Sequence, residues 1–171
     1  KLKRFGIPWQ KGETVSAAIG QSFVLVTPVQ VANMMSAIFN GGVLYRPQVT
    51  AWVGQTPLDD VASFSPQVIR ETGIRRENLE FVKKALVDVV NGPRGTGGRA
   101  RLKDVTVAGK TGTAQVVAQS DENIEEEEEI PREHRDHAWF AAAAPAERPL
   151  ISVAVVVEHG GHGGSAAAPI A

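Results

Sequence analysis

Residues 107–116 place one cation, two hydroxyls and two glycines within a short segment. Lys110, Thr111 and Thr113 supply the ammonium and the hydroxyls, and Gly109 and Gly112 lie among them. An ammonium group and hydroxyls are suited to capture of a carboxylate, the anionic end of a peptide chain. Gly112 has no side chain, so a second extended chain has room to lie against the segment. These residue types indicate a site for a peptide that ends in a carboxylate.

A β-strand is the element that would present these groups together. Val105, Val107 and Val116 are β-forming residues, and small residues lie between them. The pattern predicts a strand over 107–116, to which a peptide adds as a further strand through backbone hydrogen bonds. A buried strand that contains Lys and Gly only for packing is the alternative, because matches to a three-residue pattern are common.

Two known motifs share the letters of this segment. Gly109, Lys110 and Thr111 match the last three residues of the nucleotide-binding P-loop, but that motif needs glycine five positions before Gly109. The residue there is Asp104, whose carboxylate would lie where the backbone must wrap phosphate. We therefore exclude the P-loop. The second motif is the Lys-Thr-Gly element of penicillin-recognising serine enzymes.

Four segments, in matching order and spacing, resemble the transpeptidase domain of the penicillin-binding protein 2 family. They are AIGQ at 18–21 leading into VLVTPVQ at 24–30, GKTGTAQV at 109–116, HAWF at 137–140, and GGHGGSAAAP at 160–169. The resemblance covers nearly the whole chain apart from the acidic stretch 121–133. It implies an α/β fold of the α+β type, with helices packed on an antiparallel sheet, as in penicillin-binding proteins and serine β-lactamases.

The chain departs from this family in one large respect. The family's nucleophile is a serine followed three residues later by lysine, and a second motif is Ser-x-Asn. No serine in this sequence has Lys at the third following position or Asn at the second: Ser16, Ser22, Ser36, Ser63, Ser65, Ser120, Ser152 and Ser165. In the family both motifs precede the region that begins here. We therefore interpret residues 1–171 as the C-terminal portion of a single transpeptidase domain, inactive by itself.

The resemblance assigns roles to residues of the Lys-Thr-Gly segment. The family transfers an acyl group from D-Ala-D-Ala stem peptides through a serine ester, and β-lactams acylate the same serine. By resemblance, the hydroxyls of Thr111 and Thr113 bind the terminal carboxylate, and Lys110 supplies positive potential and helps to relay protons. The backbone N–H of Thr113 would be one of two oxyanion donors. Gly112 lies within the substrate-binding strand, and Trp139 either lines the cleft or packs as strand aromatics do.

The resemblance also implies partners and a location. The partners are peptidoglycan stem peptides, β-lactams, the N-terminal remainder of the same protein and the machinery of wall elongation, and no cofactor is expected. The location is the periplasmic face of the bacterial inner membrane, with an anchoring helix outside this chain. A non-enzymatic module that binds peptides along a strand edge is the alternative from another functional class.

Composition limits other functions. The net charge is −1, which argues against nucleic acid or an anionic membrane surface as a partner. Hydrophobic residues make up 43% of the chain, enough for a real core, and no apolar run reaches the ~18 residues of a membrane span. The absence of cysteine permits an oxidising compartment without indicating one.

Three other segments contain groups that bind ions. His134/His137 and His159/His162 are spaced three apart, but neither pair lies on an obvious helix and no cysteine supports a zinc site. The acidic stretch 121–133 lacks the pattern of a calcium loop and predicts a solvated loop. The glycine-rich loop 92–99 has two arginines, but no helix follows to bind phosphate at its N-terminus. We expect no metal site.

Sequence patterns predict the elements around the strand. Thr27, Pro28 and Gln30 predict the start of a helix with Met34 and Met35 in the core. Further predictions are an amphipathic helix over 74–91 with Val82 on its apolar face, strands over 136–144 and 150–158, and a helix capped by Ser165. By resemblance, the 150–158 strand lies between the 136–144 strand and one from the N-terminal part of the domain. Residues 1–14 and 54–73 are expected to form loops and turns.

Overall fold

The structure is a computed structural model that describes residues 6–54, 62–63, 65–116 and 131–171. Most of the acidic stretch predicted at 121–133 lies outside the described residues. The α-helices are α1 (Lys11–Ala18), α2 (Pro28–Phe39) and α3 (Arg76–Asn91). The strands are β1 (Val43–Tyr45), β2 (Trp52–Val53), β3 (Ala62–Ser63), β4 (Val68–Glu71), β5 (Ala108–Ala114), β6 (His137–Ala144) and β7 (Ile151–Val157).

The start of α2 confirms the predicted capping box. The backbone N–H of Gln30 donates to the Thr27 hydroxyl at 3.3 Å, and the backbone N–H of Thr27 donates to the Gln30 side chain at 2.8 Å. Pro28 takes the first helical position, where no N–H is needed. Asn40 ends the helix, and Gly41 and Gly42 follow with positive φ. The local sequence therefore fixes both ends of this helix.

Strands β5, β6 and β7 form an antiparallel sheet in that order. Gly109 pairs with Ala142, Thr113 pairs with Ala138, and Phe140 pairs with Val155. The predicted strands over 107–116, 136–144 and 150–158 are therefore confirmed. Of these three strands, β5 and β7 are the outer ones.

Helices cover one face of this sheet. Met35 and Phe39 of α2 and Leu86 of α3 pack against Ala108, Ala141 and Ala143 of the strands. The alanines are small, so the helices are able to approach the strands closely. Helix α3 runs along β5 and leads into the turn at 92–97, which brings that turn beside the Lys-Thr-Gly segment.

The opposite face is covered by the C-terminal segment. A π-helical turn, Gly163–Ala167, is followed by a 3₁₀ turn, Ala168–Ile170. Ala167 and Ala168 are buried in one cluster with Ala138, Phe140 and Ala142 of β6. The expected helix cap at Ser165 is wrong, because Ser165 lies inside the π-helical turn and its hydroxyl donates to the carbonyl of His162 at 3.0 Å.

Other local predictions also need correction. Met35 is 1% exposed, but Met34 is 51% exposed, because it faces a groove between α2 and the β1–β4 pair rather than the core. In α3, Leu79, Leu86 and Val90 are buried, but Val82, which was predicted to lie on the apolar face, is 39% exposed. Helix α1 begins within the segment 1–14 that was expected to be a loop. Strand β4 forms within 54–73, which was expected to be turns, because it pairs with β1. The sequence of β4 does not indicate this pairing.

Candidate active site

The predicted site residues lie on β5 and on its neighbour β6. Lys110, Thr111, Gly112 and Thr113 are consecutive residues of β5, and Gly112 pairs directly with Trp139 of β6. The side of β5 that faces away from β6 is the outer edge of this three-stranded sheet. The sheet therefore places four of the five predicted residues on its outer strand and Trp139 beside them on the central strand.

The alternation of side chains divides these residues between the two faces. Lys110 and Gly112 lie on the face that α2 and α3 cover, together with Trp139. Thr111 and Thr113 pair with Phe140 and Ala138, whose side chains belong to the opposite face. The cation and the two hydroxyls thus approach the edge of β5 from opposite sides. A group bound along this edge has the ammonium on one side and the hydroxyls on the other.

Backbone groups of Thr111 and Thr113 point outward from this edge. The carbonyl of Thr111 accepts from Lys110 Nζ at 2.8 Å, and the carbonyl of Thr113 accepts from Gln21 Nε2 at 2.9 Å. These carbonyls are reached by side chains and are therefore directed away from β6. In an antiparallel strand the N–H and C=O of one residue point to the same side. The N–H groups of Thr111 and Thr113 are therefore also directed outward, as addition of a peptide strand requires.

Lys110 is exposed and holds its ammonium group at the edge. Its ammonium donates a hydrogen bond to the carbonyl of its neighbour Thr111 at 2.8 Å, a contact within the same strand. It also lines an open pocket with Asp88, Arg94 and Thr96. The ammonium is thus accessible from the side where a ligand along β5 would lie.

The hydroxyl of Thr111 contacts a residue that sequence reasoning missed. Thr96, in the turn after α3, places its Oγ1 2.8 Å from Thr111 Oγ1. Thr96 lies within the glycine-rich loop 92–99, which was considered only for phosphate. Its sequence carried no signal of this pairing, because the two residues are 15 positions apart.

Glycines allow the neighbouring loops to approach β5. A Cβ at Gly163 would lie 2.4 Å from the carbonyl oxygen of Gly112, and a Cβ at Gly164 would lie 2.5 Å from the carbonyl oxygen of Thr96. Both approaches are too close for any side chain. The glycine-rich segment 160–164 therefore forms a wall beside Thr111 and the turn at 92–97.

The backbone at Gly112 lies close to the side chain of Trp139. A Cβ at Gly112 would lie 3.2 Å from Trp139 Cβ, which is tighter than ordinary van der Waals contact. Trp139 is half-buried beside the glycine, on the face of the sheet that Lys110 shares. The tryptophan therefore packs against the strand, and its role in lining a cleft stays a prediction.

Gln21 is the second residue that the site analysis missed. Its side-chain amide donates to the outward carbonyl of Thr113, 92 positions along the chain. Gln21 belongs to the AIGQ segment on which the resemblance rests, but the sequence did not indicate its contact with β5. The amide occupies an acceptor that a peptide strand would use.

Two of the histidines, His137 and His159, contact each other. His137 Nδ1 accepts from the backbone N–H of His159 at 3.0 Å, and their rings meet edge to face at 4.7 Å. His159 Nδ1 lies 3.2 Å from the carbonyl of Arg135. These contacts join β6 to the end of β7. Within the part of the chain that the structure describes, no three His, Cys, Asp or Glu residues are grouped as metal ligands.

Comparison with known proteins identifies the family. Residues 3–171 match the penicillin binding protein transpeptidase domain. The chain belongs to this transpeptidase domain family. The peptidoglycan D,D-transpeptidase MrdA of Haemophilus influenzae is 34% identical over 173 residues, which cover 100% of this chain and 26% of that protein. The resemblance drawn from the four sequence segments is therefore confirmed.

Solved structures of the penicillin-binding proteins have the same fold. Penicillin-binding protein 2 of Helicobacter pylori, solved in complex with MreC, gives a TM-score of 0.75 at 30% identity, covering 99% of this chain and 28% of that one. Penicillin-binding protein A of Mycobacterium tuberculosis, solved as its penicillin G acyl-enzyme, gives a TM-score of 0.69 at 29% identity. The match covers 91% of this chain and 32% of that one. The α+β fold expected from the resemblance is confirmed. The chain spans about a quarter to a third of the length of these relatives.

Proposed function

We propose that the protein containing this chain is a peptidoglycan D,D-transpeptidase of the penicillin-binding protein 2 type. The reaction would transfer the acyl group of a D-Ala-D-Ala stem peptide to an amine of a neighbouring stem peptide, with release of D-Ala. The observation that carries the proposal is the outer edge of β5, where Lys110, Thr111 and Thr113 converge in a chain of this family.

The edge of β5 fits a substrate that lies as an added strand. The outward N–H groups of Thr111 and Thr113 would donate to the extended stem peptide, whereas their carbonyls already accept from Lys110 and Gln21. The hydroxyls of the two threonines would donate to its terminal carboxylate, and the Lys110 ammonium would add positive potential from the other face. A β-lactam with its own carboxylate would bind in the same way.

The outward N–H of Thr113 fits an oxyanion donor. During attack on an amide, negative charge develops on the carbonyl oxygen, and a donor already fixed in a strand stabilises that charge without rearranging. In the proposed reaction Thr113 would donate one such hydrogen bond. The second donor would be the backbone N–H of the nucleophilic serine.

The proposal places the nucleophile in another part of the same protein. No serine in these 171 residues has lysine three positions on, and none is followed by asparagine at the second position. The N-terminal part of the domain would bring its serine to the edge of β5 and add a strand beside β7. In this arrangement the present chain binds substrate and stabilises the oxyanion, and the remainder attacks.

Partners and location follow from the same proposal. The complex of the Helicobacter pylori relative with MreC supports an assembly with the elongation machinery of the cell wall. Stem peptides and β-lactams would be the ligands, and the cell envelope, at the periplasmic face of the inner membrane, would be the location. Among the helices of the described residues, none has the length and apolar character needed to cross a membrane.

Labelling of the full-length protein with fluorescent penicillin tests this function. We expect one covalent adduct that survives denaturation, and peptide mapping should place it on a serine outside residues 1–171. The matched control is full-length protein treated first with unlabelled benzylpenicillin, which should block the label. An adduct on a serine of this chain would contradict the division of the site.

A strand-edge peptide-binding module is the competing function, since the outward groups of β5 alone suffice for it. That function predicts reversible binding of a peptide ending in D-Ala-D-Ala and no adduct. Absence of an adduct in correctly folded full-length protein would therefore favour the binding module over the enzyme.

A further inference from the structure

The 2.8 Å contact between the hydroxyls of Thr96 and Thr111 gives Thr96 a part in substrate recognition. We propose that Thr96 is a positioning residue: its hydroxyl donates to Thr111 Oγ1 and so directs the Thr111 proton at the carboxylate of the substrate. This inference rests on the proposed function, in which Thr111 binds that carboxylate.

The direction of the hydrogen bonds follows from the chemistry of the three groups. A carboxylate only accepts hydrogen bonds, and a hydroxyl has one proton to donate and two lone pairs that accept. When Thr111 donates its single proton to the carboxylate, its contact with Thr96 has to use the proton of Thr96. The bound state is therefore a chain that runs from Thr96 through Thr111 to the carboxylate.

Such a chain strengthens the final bond. Each hydroxyl that accepts a hydrogen bond becomes a better donor, so Thr96 would polarise Thr111 toward the anion. The carboxylate is charged, and hydrogen bonds to charged groups are stronger than neutral ones. The effect of Thr96 should therefore appear when a carboxylate is present and vanish when it is removed.

Thr96 is held in place by its own surroundings. The backbone N–H of Gly97 donates to the carbonyl of Val89 at 2.9 Å, which ties the turn to the last part of α3. Gly95 also lies against α3, because a Cβ there would fall 2.2 Å from the same carbonyl oxygen. On the other side, a Cβ at Gly164 would lie 2.5 Å from the carbonyl oxygen of Thr96, so the backbone at Gly164 packs directly against the turn. The turn therefore presents the Thr96 hydroxyl from a fixed backbone.

Contacts also restrict the rotamer of Thr111. Its Oγ1 lies 2.8 Å from Thr96 Oγ1. Threonine is β-branched and has few χ1 states, so a hydrogen bond that fixes the hydroxyl favours one of them. Thr96 thus orients the hydroxyl that would bind the ligand.

The test measures acylation of the full-length protein by benzylpenicillin, which has a carboxylate, and by its methyl ester, which has none. The variants are Thr96→Val, which keeps the shape and removes the hydroxyl, and Thr96→Ser, which restores the hydroxyl. We expect Thr96→Val to lower the second-order acylation constant for benzylpenicillin about three- to tenfold, as for loss of one hydrogen bond. Thr96→Ser should restore most of the rate, and the methyl ester should show no difference.

Thr111→Val and the double variant separate this inference from the proposed function. Thr111→Val should lower acylation by benzylpenicillin, and adding Thr96→Val to it should cause no further loss, because both act through one hydroxyl. If Thr111→Val is slow but Thr96→Val is as fast as wild type, or lowers acid and ester equally, the positioning role is wrong and the carboxylate site stands. If Thr111→Val reacts like wild type, both are overturned.

Discussion

Replacement of Lys110 by alanine should slow acylation severely and leave the fold intact. The lysine is exposed, and its ammonium donates to the carbonyl of its own neighbour Thr111. Backbone pairing of Lys110 with Ala141 does not need the side chain. Substitutions at exposed positions of this kind usually change the free energy of unfolding by less than about 0.5 kcal/mol. We therefore expect this variant to keep its stability and to lose acylation rate.

The expected loss of rate follows from the general strength of an ammonium–anion interaction near a protein surface. An ammonium about 4 Å from a developing anion interacts by about 4 kcal/mol at an effective dielectric constant of about 20. Removal of one preorganised group in comparable sites costs about 2.7–4 kcal/mol, or ~10²–10³ in rate. The two estimates agree, so we expect the acylation rate constant of Lys110→Ala to fall by ~10²–10³.

Stopped-flow acylation of the full-length protein with a fluorescent penicillin measures this loss, and thermal unfolding checks the fold. The matched control is Lys84→Ala, which removes an exposed lysine from α3 and should change neither quantity. A Lys110→Ala protein that melts with wild type and reacts within about threefold of its rate would refute the placement of Lys110 in the site.

Three further predictions concern the chain and its sheet. Residues 1–171 alone should form no covalent adduct with labelled penicillin. A labelled band that survives boiling and maps to a serine of this chain would contradict this prediction. The same polypeptide should self-associate at micromolar concentration in sedimentation experiments, because β7 is an outer strand and its first residue, Ile151, is 60% exposed. Ile151→Lys should weaken that association, whereas a cooperatively melting wild-type monomer would contradict it. Gly109→Ala should destabilise the full-length protein by about 1–3 kcal/mol in urea unfolding, because the added Cβ would lie 2.6 Å from the buried Phe140 ring. Gly12→Ala, where a Cβ meets nothing within 4 Å, is its control and should not destabilise the protein, because Gly12 lies in α1 and alanine favours the helix.

Local patterns in the sequence were sufficient for the elements whose signals are themselves local. The capping box at Thr27 and the glycines after Asn40 set the ends of α2 through contacts a few residues apart. The valine-rich segments around Lys110 and in β7 were predicted as strands because their side chains suit a pleated, buried surface. Patterns failed where a partner decides the outcome: Met34 has helical spacing suited to the core, yet 51% of it is exposed.

The sequence and the tertiary structure also determined different features of the candidate site. Residue types alone marked Lys110, Thr111 and Thr113, since an ammonium and hydroxyls beside glycine suit a carboxylate whatever the fold. Alternation along a strand sets Lys110 on one face and Thr111 and Thr113 on the other, whatever the partner strand. Only the folded chain decided which of these faces α2 and α3 cover, because that depends on how the helices pack on the sheet. It alone brought Thr96 to Thr111 and Gln21 to Thr113. Contacts across 15 and 92 positions are set by packing of separate elements, for which no local pattern of residues is required.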